Sequence, residues 1–291
     1  MPSLSSTAYG AAVLRATENL LPEDKRLFED PYSEKLLPPI YKFFVDIMRA
    51  PKIWKFLVSI REKSTPGVIG GIICRTCYID EVLINAVKEG VETVVNLGAG
   101  ADSRAFRIPG IESIPYFELD HPEVLKFKRS IINKKLGGLP FNLSLVPIDF
   151  NSQELGEELK KAGYDLSSTT LFIWEGVTQY ISKEAIDNTL QYVAQASTGS
   201  KIVFTYVLES FINGSYIPDG LNSLYKMVLN NKNPLWFCGF EPTEIHEYLL
   251  KFSLSLIEDV GSEEFVERYI KPKGRDLTVM EIERTVLAEV K

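Results

Sequence analysis

Five short apolar runs alternate with helical segments after residue 90, and this alternation limits the fold more than any other feature of the chain. The runs are at 92–97, 114–119, 143–147, 170–174 and 201–206. Several are almost continuously apolar, as strands covered on both faces of a sheet are. Helical patterns separate them, from Ser103 onward and at 122–135, 152–162 and 183–196. The alternation predicts an α/β fold with an open parallel sheet and right-handed crossovers.

The segments outside this alternation predict additions to the sheet. Residues 1–90 are mostly helical in pattern, and Gly90 is placed to end the last of these helices. Residues 207–250 are rich in aromatic side chains and are helical or irregular, and two late strands near 254–257 and 285–290 predict an edge hairpin. We therefore expect a mostly parallel seven-stranded sheet in a core of residues 91–291, with a helical N-terminal cap at 1–90. The segment 207–250 is predicted to be a second cap inserted after the fifth strand.

Composition excludes several classes of protein. The chain has 291 residues, of which 45% are hydrophobic and 24% charged, so general disorder is excluded. The net charge of −7 argues against a broad nucleic-acid surface, and three cysteines are too few for a disulfide framework. Arg15 and Glu18 lie where a signal peptide would be apolar. We expect a cytoplasmic protein with no nucleic-acid or membrane partner; the sequence leaves the oligomeric state open.

One apolar stretch needs separate interpretation. Residues 41–60 are the most apolar long segment, but five charged side chains interrupt it and Pro51 divides it. No run reaches the 18 residues or so that a spanning helix requires. The pattern predicts two amphipathic helices. Ordinary packing explains it better than a role at a membrane surface, which stays open as the alternative.

The end of the first predicted strand has the features of a ligand-binding turn. Gly98 and Gly100 flank Ala99 directly after the run 92–97. Glycines at such a turn allow the backbone to approach a ligand closely. In open α/β sheets ligands bind at the carboxyl ends of the strands. Two glycines alone are equally compatible with a tight turn that binds nothing.

The second strand strengthens the ligand hypothesis. Asp120 ends this strand, 22 residues beyond Gly98, where a carboxylate can accept hydrogen bonds from the ribose hydroxyls of a nucleoside. The alternative is a solvated loop acid. A dinucleotide site would also need a third glycine at position 103, where this chain has Ser103. The pattern thus favours a nucleoside ligand that lacks a pyrophosphate over NAD or FAD.

These motifs resemble those of a known family. N-L-G-A-G-A-D-S-R at 96–104 and Y-F-E-L-D-H-P at 116–122 are similar to motifs of the leucine carboxyl methyltransferase family. F-E-D-P-Y at 28–32, R-T at 75–76, E-G-V-T-Q-Y at 175–180 and G-R-D-L at 274–277 fit in the same order. The likeness runs from about residue 8 to the end of the chain. It implies a class I methyltransferase fold with S-adenosyl-L-methionine as the cofactor.

The resemblance also implies roles for individual residues. Eight are expected to bind the cofactor: Arg15, Arg75, Gly98, Gly100, Asp120, Asp149, Phe150 and Glu175. Among them Arg75 would hold the cofactor's carboxylate through a bidentate ion pair, with Arg15 as a second cation. Gly98 would offer its carbonyl oxygen to the amino group, beside Glu175. The ribose would be held by Asp120, and the adenine by Asp149 and the amide of Phe150.

The acceptor is less specified than the cofactor. The family includes a carboxyl methyltransferase that acts on a protein C-terminus, and relatives that methylate hydroxyls. We therefore expect an O-methyltransferase that acts on a carboxylate or hydroxyl of a small molecule or peptide end. Tyr180 is the candidate catalytic residue on the acceptor side, either orienting the acceptor or assisting proton removal. No metal is expected.

Two other functions and two minor motifs compete with this interpretation. A nicotinamide-dependent oxidoreductase or a non-catalytic binding protein would use a similar sheet, although Ser103 argues against the first. Cys74 and Cys77 have C-x-x-C spacing, but too few further ligands exist for a metal site, so two packed helix cysteines are expected. His121 is expected to line the cofactor pocket, and His246 to be an exposed helix residue.

Overall fold

A seven-stranded mixed sheet forms the centre of the computed structural model, which describes residues 4–150, 152–229 and 234–291, with side chains from Tyr9 onward. The strand order is β3-β2-β1-β4-β5-β7-β6. The strands are β1 (Thr93–Leu97), β2 (Tyr116–Asp120), β3 (Leu143–Pro147), β4 (Thr170–Trp174), β5 (Lys201–Val207), β6 (Leu254–Val260) and β7 (Glu283–Val290). All seven predicted strands are thus confirmed, and β6 extends three residues beyond the predicted end because its pairing with β7 continues across a bulge.

Parallel pairing joins β1 to β5, and antiparallel pairing joins the last two strands. β1 pairs in parallel with β2 and β4, β2 with β3, and β4 with β5. β7 runs antiparallel between β5 and β6. The predicted hairpin therefore forms, and it joins the sheet through its second strand rather than its first.

Thirteen α-helices lie around this sheet in the described residues. Before the sheet come α1 (Leu4–Glu18), α2 (Ser33–Leu36), α3 (Pro39–Met48), α4 (Pro51–Ser64) and α5 (Val68–Glu89). Between β1 and β5 come α6 (Arg104–Arg107), α7 (Pro122–Lys135), α8 (Leu155–Lys161) and α9 (Lys183–Val193). The remaining helices are α10 (Glu209–Ile212), α11 (Asn222–Val228), α12 (Pro242–Leu250) and α13 (Ser262–Phe265).

Each face of the sheet is covered by its own apolar core. Along β4, Phe172 and Trp174 belong to one core, and Leu171 and Ile173 belong to the other. This alternation follows from the two-residue period of a strand, and helices on both sides explain why the strands are almost continuously apolar in sequence. The core beneath Leu171 and Ile173 includes much of α5.

The helices before β1 begin and end for local reasons. Pro51 starts α4 and separates it from α3, as predicted, because proline fits the first turn of a helix but not its interior. Gly90 ends α5 with φ +87°, a left-handed conformation that glycine adopts without strain. No helix in the described ranges combines the length and apolar character that crossing a membrane requires.

The segment after β5 divides between two packing environments. Phe211, Leu224 and Trp236 form a separate apolar cluster with Val68 of α5 and Met280. In contrast, α12 packs against β6, and its Ile245, Tyr248 and Leu249 enter a core of the sheet. The boundary at residue 90 and the inserted cap 207–250 remain predictions.

Candidate active site

The carboxyl ends of four parallel strands place most of the predicted cofactor residues along one edge of the sheet. Gly98 follows β1, Asp120 ends β2, Asp149 lies two residues beyond β3, and Glu175 follows β4. The pairing of Leu97 with Leu119 and of Asp120 with Pro147 brings these ends level. Parallel pairing alone therefore assembles residues separated by nearly eighty positions in sequence.

The turn after β1 requires glycine. Gly98 has φ +71° and Gly100 has φ +46°, and both angles are in the left-handed region. A Cβ on Gly98 would also stand 2.4 Å from Cγ2 of Val177. The amide of Gly98 donates to the carbonyl of Leu119 at 2.8 Å, which fixes the turn against β2.

Asp120 is held in place by the backbone. Its Oδ2 accepts from the amide of Gly100 and its Oδ1 from the amide of His121, both at 2.6 Å. Burial raises the pKa of Asp120, and the two amides partly offset that rise. Each carboxylate oxygen keeps a further lone pair, so the group can still accept hydrogen bonds from a ligand.

Glu175 is clamped between two arginines. Its Oε1 accepts from Nε of Arg75 at 2.9 Å and its Oε2 from Nη1 of Arg104 at 2.7 Å. Although burial raises the pKa of a carboxyl group, the guanidinium groups of Arg104, Arg75 and Arg15 together lower that of Glu175 to about 2. Glu175 is therefore ionised throughout the physiological range.

Arg75 bridges two carboxylates that are distant in sequence. Besides Glu175, its Nη1 donates to Glu283 at the start of β7. Its Nη2 stands 3.2 Å from the position of a Cβ on Gly176, whose φ is +69°. Glycine at 176 thus leaves the space that this guanidinium occupies.

A buried ion-pair network continues from Glu175 toward the N-terminal helices. Arg104 also donates to Asp80 at 2.7 Å and to Asp102 at 2.5 Å. Its Nη2 is buried without a hydrogen-bond partner among the described residues. Arg107 binds the same Asp80 through both Nη atoms, at 2.6 and 2.8 Å.

Arg15 belongs to the far end of this network. Its Nη2 donates to the carbonyl of Ala101 at 2.6 Å, and its Nε donates to Asp30 at 3.2 Å. Asp30 also accepts from Oγ of Ser103 at 2.6 Å. Arg15 therefore contacts the loop after Gly100, and its guanidinium is engaged by protein atoms.

Sequence reasoning did not identify Asp80, Arg104, Arg107 and Glu283 as site residues. Arg104 lies inside a family motif and Glu283 near the end of the chain, but a motif does not show which side chains meet. One available signal was the cost of burial: Asp80 lies on the apolar pattern of α5, where an unpaired carboxylate would be expensive.

The segment after β3 is positioned by local hydrogen bonds. The Asp149 amide donates to Oε1 of Gln153 at 2.9 Å, and its Oδ2 accepts from Oγ of Ser152 at 3.0 Å. The half-buried Phe150 packs against the apolar core that contains Val146 and Ile148. Both residues lie at the same sheet edge as Asp120.

Tyr180 lies in a single 3-10 turn (Thr178–Tyr180) after β4. Its ring meets that of Trp236 edge to face, with centroids 6.3 Å apart. The amide of Phe237 donates at 2.8 Å to the carbonyl of Gln179, the residue before Tyr180. The segment after β5 thus contacts the chain directly beside the candidate acceptor residue.

The histidines and cysteines have ordinary structural positions. His121 is exposed and caps α7, where its Nδ1 accepts from the amide of Glu123. Its backbone amide donates to Asp120, and its place in the lining of the cofactor pocket stays a prediction. His246 is exposed on α12, and Cys74 and Cys77 are buried in α5, as expected.

Several known proteins with sequences similar to this chain are methyltransferases by name. The family model described as leucine carboxyl methyltransferase matches residues 8–194. A provisionally named S-adenosyl-L-methionine-dependent methyltransferase of Streptomyces coelicolor is 28% identical over 244 residues, 80% of this chain and 81% of the relative. One of Mycobacterium ulcerans is 28% identical over 207 residues, 70% of this chain and 67% of the relative.

Solved structures agree in fold. A provisionally named methyltransferase of Thermobifida fusca matches with a TM-score of 0.57 at 15% identity, over 89% of this chain and 93% of that one. A DUF574 family protein of Streptomyces avermitilis matches with a TM-score of 0.54 at 14% identity, over 96% and 97%.

Fold and motifs therefore define a class I methyltransferase. The chain belongs to the leucine carboxyl methyltransferase family, since the family model covers well over half of it. The predicted class of enzyme, with S-adenosyl-L-methionine as its cofactor, is confirmed by the family and by the names of the relatives.

Proposed function

We propose that this enzyme transfers a methyl group to an oxygen atom of a small molecule or a peptide end, with a carboxylate favoured over a hydroxyl. The observation that carries the proposal is the edge of the sheet after β1, β2 and β4, where two left-handed glycines, a backbone-held carboxylate and a clamped glutamate converge. Membership of a carboxyl methyltransferase family supports the choice of acceptor.

The residues at this edge fit the cofactor. Asp120 is partly exposed and keeps acceptor capacity beyond the Gly100 and His121 amides, which suits the two hydroxyls of a ribose. Asp149 and Phe150 follow the neighbouring strand and would face the adenine. Bound S-adenosyl-L-methionine supplies an electrophilic methyl group to the site.

Arg75 and Glu175 would hold the amino-acid end of the cofactor. Here Arg75 donates through Nε to Glu175 and through Nη1 to Glu283, so a bidentate hold on another carboxylate would require Arg75 to release one of them. The Nη2 of the buried Arg104, which has no hydrogen-bond partner in the part of the chain that the structure describes, is a further donor in the same network. We propose that Arg75 exchanges partners on cofactor binding while Arg104 keeps Glu175 ionised.

A carboxylate acceptor suits a site in which neither histidine is placed as an obvious base: the ring of His121 caps α7, and His246 is exposed on α12. Both histidines of the chain are exposed and serve local roles. A carboxylate is already ionised at neutral pH and needs no base, whereas an alcohol must lose a proton as it attacks. Positioning and exclusion of water are then the main work of the protein. We assign Tyr180, packed on Trp236, to orienting the acceptor.

A chemical test of the product decides between the two acceptors. The enzyme is incubated with methyl-tritiated cofactor and a panel of carboxylate, phenol and peptide acceptors, and the labelled product is treated with mild base. A methyl ester releases volatile tritiated methanol, so we expect base-labile label. Label that withstands base would show an ether and overturn the carboxylate preference, and label on nitrogen would overturn the O-methyl class.

A further inference from the structure

Large apolar side chains are exposed mainly on α3 and α4. In the described part of the chain twelve large hydrophobic side chains are exposed, and seven of them lie on these two helices. α4 has no buried residue along its 14 positions. The seven form what we call the α3–α4 apolar surface: Ile40, Phe43, Phe44, Ile53, Phe56, Leu57 and Ile60.

The helical period arranges these side chains in stripes. On α4, positions 53, 56, 57 and 60 share one side, because residues three and four apart are neighbours on a helix. The half-buried positions are Trp54, Val58 and Glu62, on a different side. Trp54 packs into the small core between α1 and α3. α4 is therefore attached along one narrow stripe, while a second, more apolar stripe faces solvent.

Packing against the described part of the chain therefore does not account for this amphipathic pattern. Phe56 is 63% exposed and Phe43 is 58% exposed. Apolar side chains exposed singly are ordinary on a soluble protein, whereas several in one row along a helix, as on α4, are typical of an interaction site. Ordinary packing explains only the half-buried stripe of α4 at Trp54, Val58 and Glu62.

The surface carries a charge opposite to that of the whole protein. Between Pro39 and Ser64 there are six basic and two acidic side chains, a net charge of +4, whereas the chain has −7. Two of the basic side chains, Lys42 and Arg49, pair with Glu34 of α2, so the unpaired positive charge lies on α4. Lys52, Lys55 and Lys63 lie along one flank of the α4 stripe and form no ion pair among the described residues. These lysines are exposed beside the apolar side chains.

We propose that the α3–α4 apolar surface binds peripherally to an anionic phospholipid bilayer. Phe and Leu side chains on one face with lysines at its border are the features of a helix that lies in the plane of a membrane interface. Exposed lysines there attract anionic headgroups. A symmetric dimer through this surface would bring two positively charged helices together, and a nucleic-acid backbone would leave the aromatic side chains without apolar contacts.

Vesicle sedimentation tests the proposal. The protein, residues 1–291, is centrifuged with one of two kinds of vesicle: phosphatidylcholine alone, or phosphatidylcholine with about one third phosphatidylserine. Each mixture is prepared at low and at high salt. We expect sedimentation with the serine-containing vesicles only, weakened by salt because headgroup attraction is screened. No sedimentation with either vesicle, or equal and salt-insensitive sedimentation with both, would overturn the proposal.

Matched variants locate the contact. Phe56→Ser/Ile60→Ser should abolish sedimentation, whereas Phe141→Ser, which changes a fully exposed phenylalanine elsewhere, should not. Lys52→Gln/Lys55→Gln should weaken binding about 25-fold, since each lysine contributes about fivefold, the equivalent of about 1 kcal/mol. Lys88→Gln/Lys160→Gln removes two exposed lysines from other helices and should leave binding unchanged.

Misfolding and dimerisation are tested by two further measurements. Each variant is checked for thermal unfolding and for adenosylhomocysteine binding, which should equal those of the unaltered protein because the replaced side chains are exposed. The oligomeric state is measured by sedimentation velocity. If the unaltered protein is a dimer, the Phe56/Ile60 variant a monomer, and neither binds vesicles, the surface joins two copies and the bilayer proposal is wrong.

Discussion

Individual residues at the candidate site stabilise the fold and are also predicted to bind the cofactor. Asp120 ties the turn after β1 to the start of α7, because it accepts from Gly100 and His121 while staying partly exposed. Glu175 neutralises two buried arginines and is itself kept ionised by them. A buried ion pair that loses one partner leaves an uncompensated charge, so substitutions here affect folding as well as binding. Experiments at this scale need a readout that separates the two.

Asp120→Asn should weaken adenosylhomocysteine binding about 10- to 100-fold, because hydrogen bonds to a charged acceptor contribute about 1.5–3 kcal/mol. Binding of free methionine should not change, since the ribose hydroxyls are absent from it. Calorimetry measures both, with Asp219→Asn, an exposed carboxyl after α10, as the control. Equal losses for both ligands would remove Asp120 from the ribose.

Glu175→Gln should flatten the acid dependence of stability. The folded pKa is about 2, below the ordinary 4.5, so the stabilisation is fully present above pH 4.5 and is lost as pH falls toward 2. The shift corresponds to about 3 kcal/mol. Urea unfolding between pH 6 and 3 should show a shallower fall for the variant than for the unaltered protein. Parallel curves would contradict the ionised, arginine-clamped state of Glu175.

Some elements of this fold approach each other closely because a glycine, which has no side chain, lies at the contact. α5 approaches the segment before β7 through Gly70, where a Cβ would stand 2.1 Å from the carbonyl oxygen of Thr278. Gly67, which precedes α5, accepts a hydrogen bond from the amide of Met280 at 2.9 Å. These two contacts fix the position of α5 against the segment before β7. They therefore also position Arg75, which lies five residues beyond Gly70 on the same helix.

Gly70→Ala should destabilise the protein, by about 1–3 kcal/mol as for other overpacked sites, although alanine is the better helix former. Gly10→Ala in α1 is the matched control: beyond the neighbouring backbone of its own helix, no described atom lies within 4 Å of the new Cβ, so it should stabilise by up to about 1 kcal/mol. Chemical denaturation compares the two. A neutral or stabilising Gly70→Ala would mean that α5 is not fixed by this contact.

The whole molecule depends on its last strand. β7 lies between β5 and β6 and pairs with seven residues of the former and six of the latter. It also carries Glu283, a partner of Arg75. Chain termini usually tolerate truncation, but that tolerance follows from few contacts rather than from position in the sequence. In this fold β7, the last strand of the given sequence, lies inside the sheet between β5 and β6.

Deletion of residues 283–291 should abolish cooperative folding, because β6 would lose its only partner strand in the described sheet and β5 would become an edge. Near-ultraviolet circular dichroism and a thermal transition measure the loss. Deletion of the exposed Lys291 alone keeps β7 whole and should leave both unchanged. A truncated chain that still unfolds cooperatively would show that β7 is dispensable.

By itself the sequence determined the sheet and the edge at which the predicted cofactor residues lie. Local pattern suffices for this: apolar runs define the strands, Pro51 and Gly90 set helix ends through their restricted or permissive φ, and parallel pairing brings Gly98, Asp120 and Glu175 to one side. These properties depend on neighbours in sequence and on a general rule of chain topology. The resemblance of the motifs to a known family then predicted S-adenosyl-L-methionine as the cofactor.

Only the tertiary structure decided which charges pair and which apolar stripe stays exposed. Arg75 meets Glu175 and Glu283 across 100 and 208 positions, and no local pattern specifies contacts at that separation. Likewise, the periodicity of α4 predicts two faces, but burial of either depends on what other elements cover. Trp54 packs into the small core between α1 and α3, whereas Phe56 stays 63% exposed among the described residues, because packing is a property of the assembled chain rather than of the helix.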